Sequence, residues 1–434
     1  MTPRFPSLPQ VWVYAPQLPS RLEAALQWSL TAVLGLAWRH EPDVTSFEQA
    51  QQVWKLQYGG EVQVEGAFRI EPEGLLDGGL RTSIPPTSGH LGQDLLSLIF
   101  WMGSRMEEWV ENAPRDLHGR FDPVDSVPMK KGWLSFPICE QWAFELGAHV
   151  LGEAWPEHEV RLKAEYNVQP TLDVDSAYAF VGKGAWRTGG AWTRDVVRGN
   201  WNLAGRRWRV CRGAAADPYD TYAQAHAWHR EFGMTPKWFF LLARFGTHDK
   251  GLPAKSHKLK ALMQGLESSS PGSVQWHPGY ASALDQRALE REFHSFSEIM
   301  GRPPTAARQH YLRMEPGTTR RHLLALGIAE DHTEGHAVCT GFRGGFTRPR
   351  QWYDLQAEAL TPLMLHPFAA MDATLSRYQR MDPSAVTAHL SELADGVRPL
   401  GGTLRLLWHN ESLAPEGEWA GWGRVYPNVL QAVG

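Results

Sequence analysis

From about residue 165 onward, short apolar runs alternate with helical segments, and this rhythm restricts the fold more than any other feature of the chain. Strand-like runs fall at VQPTLDV (168–174), KWFFLLA (237–243), SVQWHPG (273–279), ARQHYL (307–312), AVCTGF (337–342) and TLRLLWH (403–409). Several are separated by stretches with helix punctuation. DPYDTYAQAHAWHREFG (217–233) offers Asp217 as an N-cap, Pro218 at the first helical position and Gly233 as a stop. DQRALEREFHSFSEIMG (285–301) and DPSAVTAHLSELADGV (382–397) follow similar grammar. Such alternation predicts an α/β fold on a parallel sheet, open or closed into a barrel. Ligands bind such folds at the C-terminal ends of the strands.

The first 160 residues read differently. Amphipathic helices are predicted at 21–38 (RLEAALQWSLTAVLGLAW) and 94–111 (DLLSLIFWMGSRMEEWVE), around a Pro- and Gly-rich segment at 71–92. A chain of 434 residues exceeds one ordinary domain. We therefore expect a smaller N-terminal α/β domain over 1–160 and a second domain over 161–434, with the boundary near AWPEHEV (154–160).

Composition narrows the partners. A net charge of −4 gives no long-range pull on nucleic acid, so no nucleic-acid partner is expected. The apolar run LLSLIFWM (95–102) is too short to span a bilayer, and prolines break the N-terminal MTPRFPSLPQVWVYAP, which lacks a signal-peptide pattern. Cys139, Cys211 and Cys339 form no CxxC and suit a reducing compartment. The expectation is a cytoplasmic protein without membrane insertion. The 20 tryptophans can fill cores or form stacking platforms for sugars.

The predicted strand ends carry chemistry. The first ends in Asp173 and Asp175, the second in His248 and Asp249; His277, Arg308 with His310, and His409 with Asn410 follow. Acids, histidines and an arginine at successive strand ends are the parts of metal-assisted hydrolysis. Two carboxylates two apart on a strand share a face. A cation and an arginine would make that proximity tolerable.

In order, TLDVD, HPGYAS, RQHYL and LLWH resemble the polysaccharide deacetylase (NodB-homology, carbohydrate esterase family 4) superfamily. DLLSLIFWMGSRMEEW, DLHGRFDP, DPYDTY, GFRGGF and FAAMDATL resemble its bacterial branch with an N-terminal domain of unknown function. The resemblance implies a distorted (β/α) barrel with fewer than eight strands, a divalent metal, often zinc, and removal of acetyl groups from an N-acetylated sugar or polysaccharide. By position it implies Asp173 as general base, Arg308 as the arginine orienting it, His409 as general acid, and Asp175 and His277 as metal ligands.

Three positions depart from the family pattern. Val174 separates the two aspartates, and Arg-Gln-His-Tyr replaces the usual arginine-proline-tyrosine element, leaving Arg343 of GFRGGF as a second arginine that could share the orienting role. Ala281 stands where the second metal histidine is usual; a third ligand is then expected from Asp249, or from its neighbour His248.

Two rival functions follow from the same residues. One is an inert saccharide-binding protein that lost its metal with the second histidine. The other is a glycoside hydrolase, for which Asp173 and Asp175 stand too close together. GKGAWRT (182–188) lacks the phosphate-loop glycine and hydroxyl, HTEGH (332–336) reads as a solvent-facing loop, His226 and His229 as helix surface, and His366-Pro367 as a strand end.

Overall fold

The computed structural model describes residues 10–51, 53–81, 83–84 and 94–434. The first nine residues of the proline-broken N-terminus and positions 85–92 of the Pro- and Gly-rich segment lie outside them.

The N-terminal unit is built on four parallel strands, β1 (Val11–Tyr14), β2 (Trp38–Glu41), β3 (Trp54–Tyr58) and β4 (Phe68–Ile70), in the order β2-β1-β3-β4. Helices Ser20–Leu26, Leu95–Gly103 and Ile138–Leu151 pack with the sheet around Trp28, Phe100 and Trp101. Leu95–Gly103 is not amphipathic: all nine of its residues are buried, because it touches both neighbouring helices and the turn at Arg343–Gly345 of the second unit.

The second unit is a nine-stranded sheet: β5 (Asn167–Val174), β6 (Lys237–Leu241), β7 (Val274–His277), β8 (Ala306–Ala307), β9 (Glu330–Asp331), β10 (Arg350–Asp354), β11 (Ala359–Leu365), β12 (Ala370–Met371) and β13 (Thr403–His409). The order is β10-β11-β9-β8-β7-β6-β5-β13-β12, and every pairing is parallel except β10 with β11. Eight parallel strands, three of them only two residues long, stand where fewer than eight were expected.

Side-chain alternation divides the sheet into two faces. Leu172, Val174, Trp238, Phe240, Val274, Trp276, Leu404, Leu406 and Trp408 enter the buried apolar core, together with residues of the surrounding helices. Their neighbours Thr171, Asp173, His277 and Arg405 turn the other way, so that face carries polar groups beside the apolar Phe239 and Leu407. The sheet is strongly curled around it. Flat strands three positions apart would stand about 14 Å from each other. Yet Arg308, just after β8, bonds Thr171 Oγ1 at 2.8 Å and Asp173 Oδ1 at 2.7 Å on β5.

Several local expectations change. Of ARQHYL only Ala307 pairs, as the last residue of β8, and Tyr311 and Leu312 take positive φ of 62° and 54° and turn the chain away. AVCTGF forms no strand; it runs into the turn that contacts the N-terminal unit. Asp217 does not cap the following helix, which begins at Tyr222; its carboxylate accepts backbone N–H bonds from Ala179, Phe180 and Val181 and ties down the loop after β5. Helices Gln286–Met300 and Pro383–Val397 start at Asp285 and Asp382 caps as predicted. HTEGH is buried rather than solvent-facing. His226 is exposed, but His229 is buried against Tyr426, whose hydroxyl it meets at 2.6 Å.

Buried ion pairs join the units. Glu108 holds Arg343 through two bonds of 2.9 and 2.6 Å, and Glu140 accepts from Arg348 and from Thr347. Phe346, Tyr353 and Leu355, before, within and after β10, complete the apolar core of the N-terminal unit.

Burial lowers the His229 pKa to about 4, and the neighbouring His226 charge adds to this; burial likewise pushes His336 down to about 3. Both are neutral in the folded protein and protonate more readily once it unfolds. Their stabilisation is complete above the ordinary imidazole pKa and falls as pH drops from about 6.5 towards 4. For His229 the loss reaches about 3 kcal/mol across that window. Urea midpoints should therefore fall over this range, and less steeply in His229→Gln, which keeps a polar partner for Tyr426.

Candidate functional site

Ladder register aligns the strand ends. His409 lies opposite Asp173, and His277 lies opposite Leu241 at the end of β6. Asp175 is one residue beyond β5, and His310 follows β8 in the short turn His310–Leu312. Each side chain therefore reaches the same space from a different strand.

Asp175 is at its centre. Its Oδ1 is 3.2 Å from His277 Nε2, and its Oδ2 is 3.1 Å from His310 Nε2 and 3.8 Å from His409 Nε2. Asp175, His277 and His310 each bring one donor atom within 4.8 Å of the others. Both histidines are fixed from behind. The Nδ1–H of His277 donates to the carbonyl of Arg308, which leaves Nε2 with its lone pair free. His310 Nδ1 meets Asp249 Oδ1 at 2.8 Å, a carboxylate–histidine pairing that orients metal-bound imidazoles. Among the described residues, His277 Nε2 and Asp175 Oδ1 are buried without a hydrogen-bond partner. Two imidazoles, one carboxylate and two orphaned atoms facing each other fit a divalent cation.

Two further arrangements flank this group. Arg308 is fully buried, with Nη1 on Asp173, Nη2 on Thr171, Nε on the His332 carbonyl at 2.9 Å, and its plane over the Phe239 ring. Asp173 Oδ1 is thereby engaged, while Oδ2 is 3.5 Å from His277 Nε2. On the opposite side, Asp372 is fully buried and holds His409 twice, by Oδ1 to Nδ1 at 2.7 Å and by Oδ2 from the backbone N–H at 2.8 Å. Burial works against the His409 charge, but the Asp372 carboxylate outweighs it and raises the imidazole to about 10. Burial would raise Asp175; the charge and hydrogen bond of His310 outweigh that and hold it well below the usual carboxylate range.

The group opens into a cavity of about 460 Å³. Gln309 forms part of its wall; the side chain is fully buried, and neither amide atom has a partner among the described residues. The mouth carries stacked rings. His248 lies against Tyr280 with centroids 3.9 Å apart, and His118 of the N-terminal unit packs on Tyr311 at 4.8 Å. Arg120, also from that unit, donates to the Tyr311 carbonyl at 3.0 Å and to Tyr378 Oη at 3.1 Å. It thereby braces a residue held in the strained left-handed region.

Of the residues singled out in the sequence, Asp173, Asp175, His277, Arg308 and His409 converge. Asp249 stands one step further out, behind His310, where burial disfavours its charge but His310 overcomes this and lowers its pKa. His248 lines the cavity mouth. Arg343 does not reach Asp173, because Glu108 and the Gly335 carbonyl occupy its guanidinium. His310 stands at a predicted strand end in the sequence but outside the expected ligand set. Asp372 sat unassigned inside FAAMDATL, although an acid one residue after a short strand was its available signal.

A second group, Glu330, His332 and His366, also clusters. Its two rings stack at 4.4 Å and 15°, with His332 Nε2 at 2.9 Å and His366 Nε2 at 3.8 Å from Glu330 Oε2, an oxygen that Lys237 already pairs with. This is polar packing below Arg308.

A family of unknown function (DUF7033) matches residues 11–156. No curated protein matches the chain. Among solved structures, the chain is similar to one assigned as a polysaccharide deacetylase from Mycobacterium smegmatis, at 13% identity over 62% of this chain and 85% of that one, with a TM-score of 0.39. Another so assigned, from Pseudomonas aeruginosa PAO1, is 12% identical over 73% and 91%, with a TM-score of 0.37. The Puue allantoinase is 10% identical over 62% and 84%, with a TM-score of 0.39.

The Arg308–Asp173 pair gives a direct test. Arg308→Met leaves a buried carboxylate without its counter-charge and should cost about 3–5 kcal/mol in urea unfolding of the metal-free protein at pH 7. Adding Asp173→Leu should recover much of that loss. Equal destabilisation in the single and double variants would mean that the pairing is not what holds the site.

Proposed function

We propose that this protein is a metal-dependent hydrolase on a NodB-type (β/α) barrel, removing an acetyl group from an N-acetylated sugar or polysaccharide. The observation that carries this reading is the convergence of Asp175, His277 and His310, with the Asp173–Arg308 pair and the His409–Asp372 pair on either side. Asp175, His277 and His310 would hold the ion. A divalent cation bound there would supply Lewis acidity, making water a nucleophile at neutral pH and polarising an amide carbonyl. Zinc suits two imidazoles and a carboxylate.

The remaining chemistry belongs to the chain. With Oδ1 committed to Arg308, Asp173 keeps Oδ2 towards the site and can take a proton from water there. His409 carries its proton on the side away from Asp372 and can give it to the departing amine. Two groups with opposite protonation at one pH are what an acid–base pair requires. Arg308 and Asp372 are positioning residues, each fixing one member of that pair. The unpartnered amide of Gln309 offers both a donor and an acceptor to substrate along the cavity wall. The rival reading of an inert saccharide binder began from Ala281; His310, reaching in from the β8 end, supplies the imidazole which that position lacks.

Purified protein should bind one divalent ion per chain, removable by chelator and measured by elemental analysis. His310→Ala should abolish this stoichiometry, and Asp249→Asn should weaken affinity by roughly 10–100-fold. With metal restored, acetate release from N-acetylated oligosaccharides should fall by about 10²–10⁴ in Asp173→Asn and in His409→Gln. Glycan binding with neither metal nor acetate release would sink the hydrolytic reading.

A further inference from the structure

Directly after β5, helices Ala185–Val197 and Trp201–Cys211 pack on each other as a hairpin. Its outer side is apolar. Trp192, Val196, Trp201, Gly205 and Trp208 line an open groove of about 420 Å³ between the helices. Trp186 is 93% exposed, Trp201 66% and Trp208 52%, with the aliphatic Val197 at 80%. Large apolar side chains gathered in one exposed patch mark an interaction surface.

The charge around them has one sign. Residues 183–212 hold eight Lys or Arg and a single acid, Asp195, in a chain whose net charge is −4. Asp195 is buried under Arg207 at 2.8 Å, so it offers nothing outward. Arg206 is taken by Glu416, and Arg187 by the carbonyls of Lys250 and Gly251. Arg194, Arg198, Arg209 and Arg212 are exposed, and Arg212 lies 4.0 Å over the Trp208 ring.

We propose that this hairpin is a membrane-surface anchor that adsorbs to anionic lipid bilayers. Tryptophans would seat at headgroup depth and the four outward arginines would meet lipid phosphates. The element lies on the bilayer and does not cross it; no helix among the described residues is long and apolar enough to cross a membrane. Other occupants fit less well. A neutral glycan platform would set free carboxylates beside its aromatic rings, whereas Asp195 and Glu416 are both taken by arginines of the hairpin. A nucleic-acid strand would leave Val197 and Leu203 facing water, whereas a bilayer covers them. Lys250, whose carbonyl accepts from Arg187, also lines the catalytic-type cavity, so adsorption would hold that cavity close to the lipid surface. The inference does not depend on the reaction proposed above.

The test is co-sedimentation of the full chain with phosphatidylcholine vesicles, with and without phosphatidylglycerol. Binding is expected only with phosphatidylglycerol, and should weaken as salt rises. Trp201→Ala/Trp208→Ala and, separately, Arg209→Glu/Arg212→Glu should each lower it roughly tenfold or more, with unfolding midpoint and metal content unchanged. No sedimentation with either vesicle overturns the proposal, as does equal binding by wild type and both variants. Capture of a single-stranded oligonucleotide or a soluble glycan through these residues, or a dimer in light scattering that the variants dissolve, assigns the face to another occupant and equally overturns it.

Discussion

The clasp of Arg308 on Asp173 is the interaction on which the second unit turns. It spans the polar face of the sheet from β8 to β5, and so fixes the curl that lets strand ends meet. The same residue lends its carbonyl to His277 and its Nε–H to the His332 carbonyl. One residue therefore neutralises a carboxylate and ties in the loop after β9 through its guanidinium, and sets the imidazole tautomer through its backbone carbonyl. A buried charge with this many partners is costly to desolvate and correspondingly costly to leave unpaired.

Much of this was legible in the sequence, for identifiable reasons. β5, β6, β7 and β13 are long enough for apolar alternation to declare them, and four of the five convergent residues singled out lie within them or close to their ends. Asp285 and Asp382 announced their helices because a capping acid acts locally. What escaped depended on long-range geometry. β8, β9 and β12 are two residues long and have no period to detect. AVCTGF looked like a strand because it is apolar, but it pairs with no strand: Ala337 and Phe342 are buried among side chains of the second unit, and Cys339 packs against the N-terminal core. His310 could be placed beside Asp175 only once the left-handed turn at Tyr311 was known, since it lies beyond β8 in that turn rather than on a strand. HTEGH carries polar residues that look solvated, and only the arginines converging from both units explain their burial: Glu334 receives Arg350 at 2.7 Å and Arg105 at 3.5 Å.

The site also spreads its dependence across the chain. Each chemically exposed group is matched by one that never faces the cavity: Asp249 for His310, Asp372 for His409, Arg308 for Asp173. These supports come from different loops, so disturbing one loop misaligns one function and leaves the others in place. The N-terminal unit adds a further layer through Arg120 and His118, which grip the RQHYL turn from outside.

Helix Leu95–Gly103 carries one more implication. It has no water-facing side, because the N-terminal core and the Arg343–Gly345 turn enclose it between them. Cutting the polypeptide near residue 160 would bare a continuous strip of leucine, isoleucine, phenylalanine and tryptophan on one fragment. The other would keep Glu334, Arg343 and Arg348 stripped of their counter-ions from across the seam. Neither half is a self-sufficient building block, so shuffling or excising the second portion alone would leave two adhesive fragments.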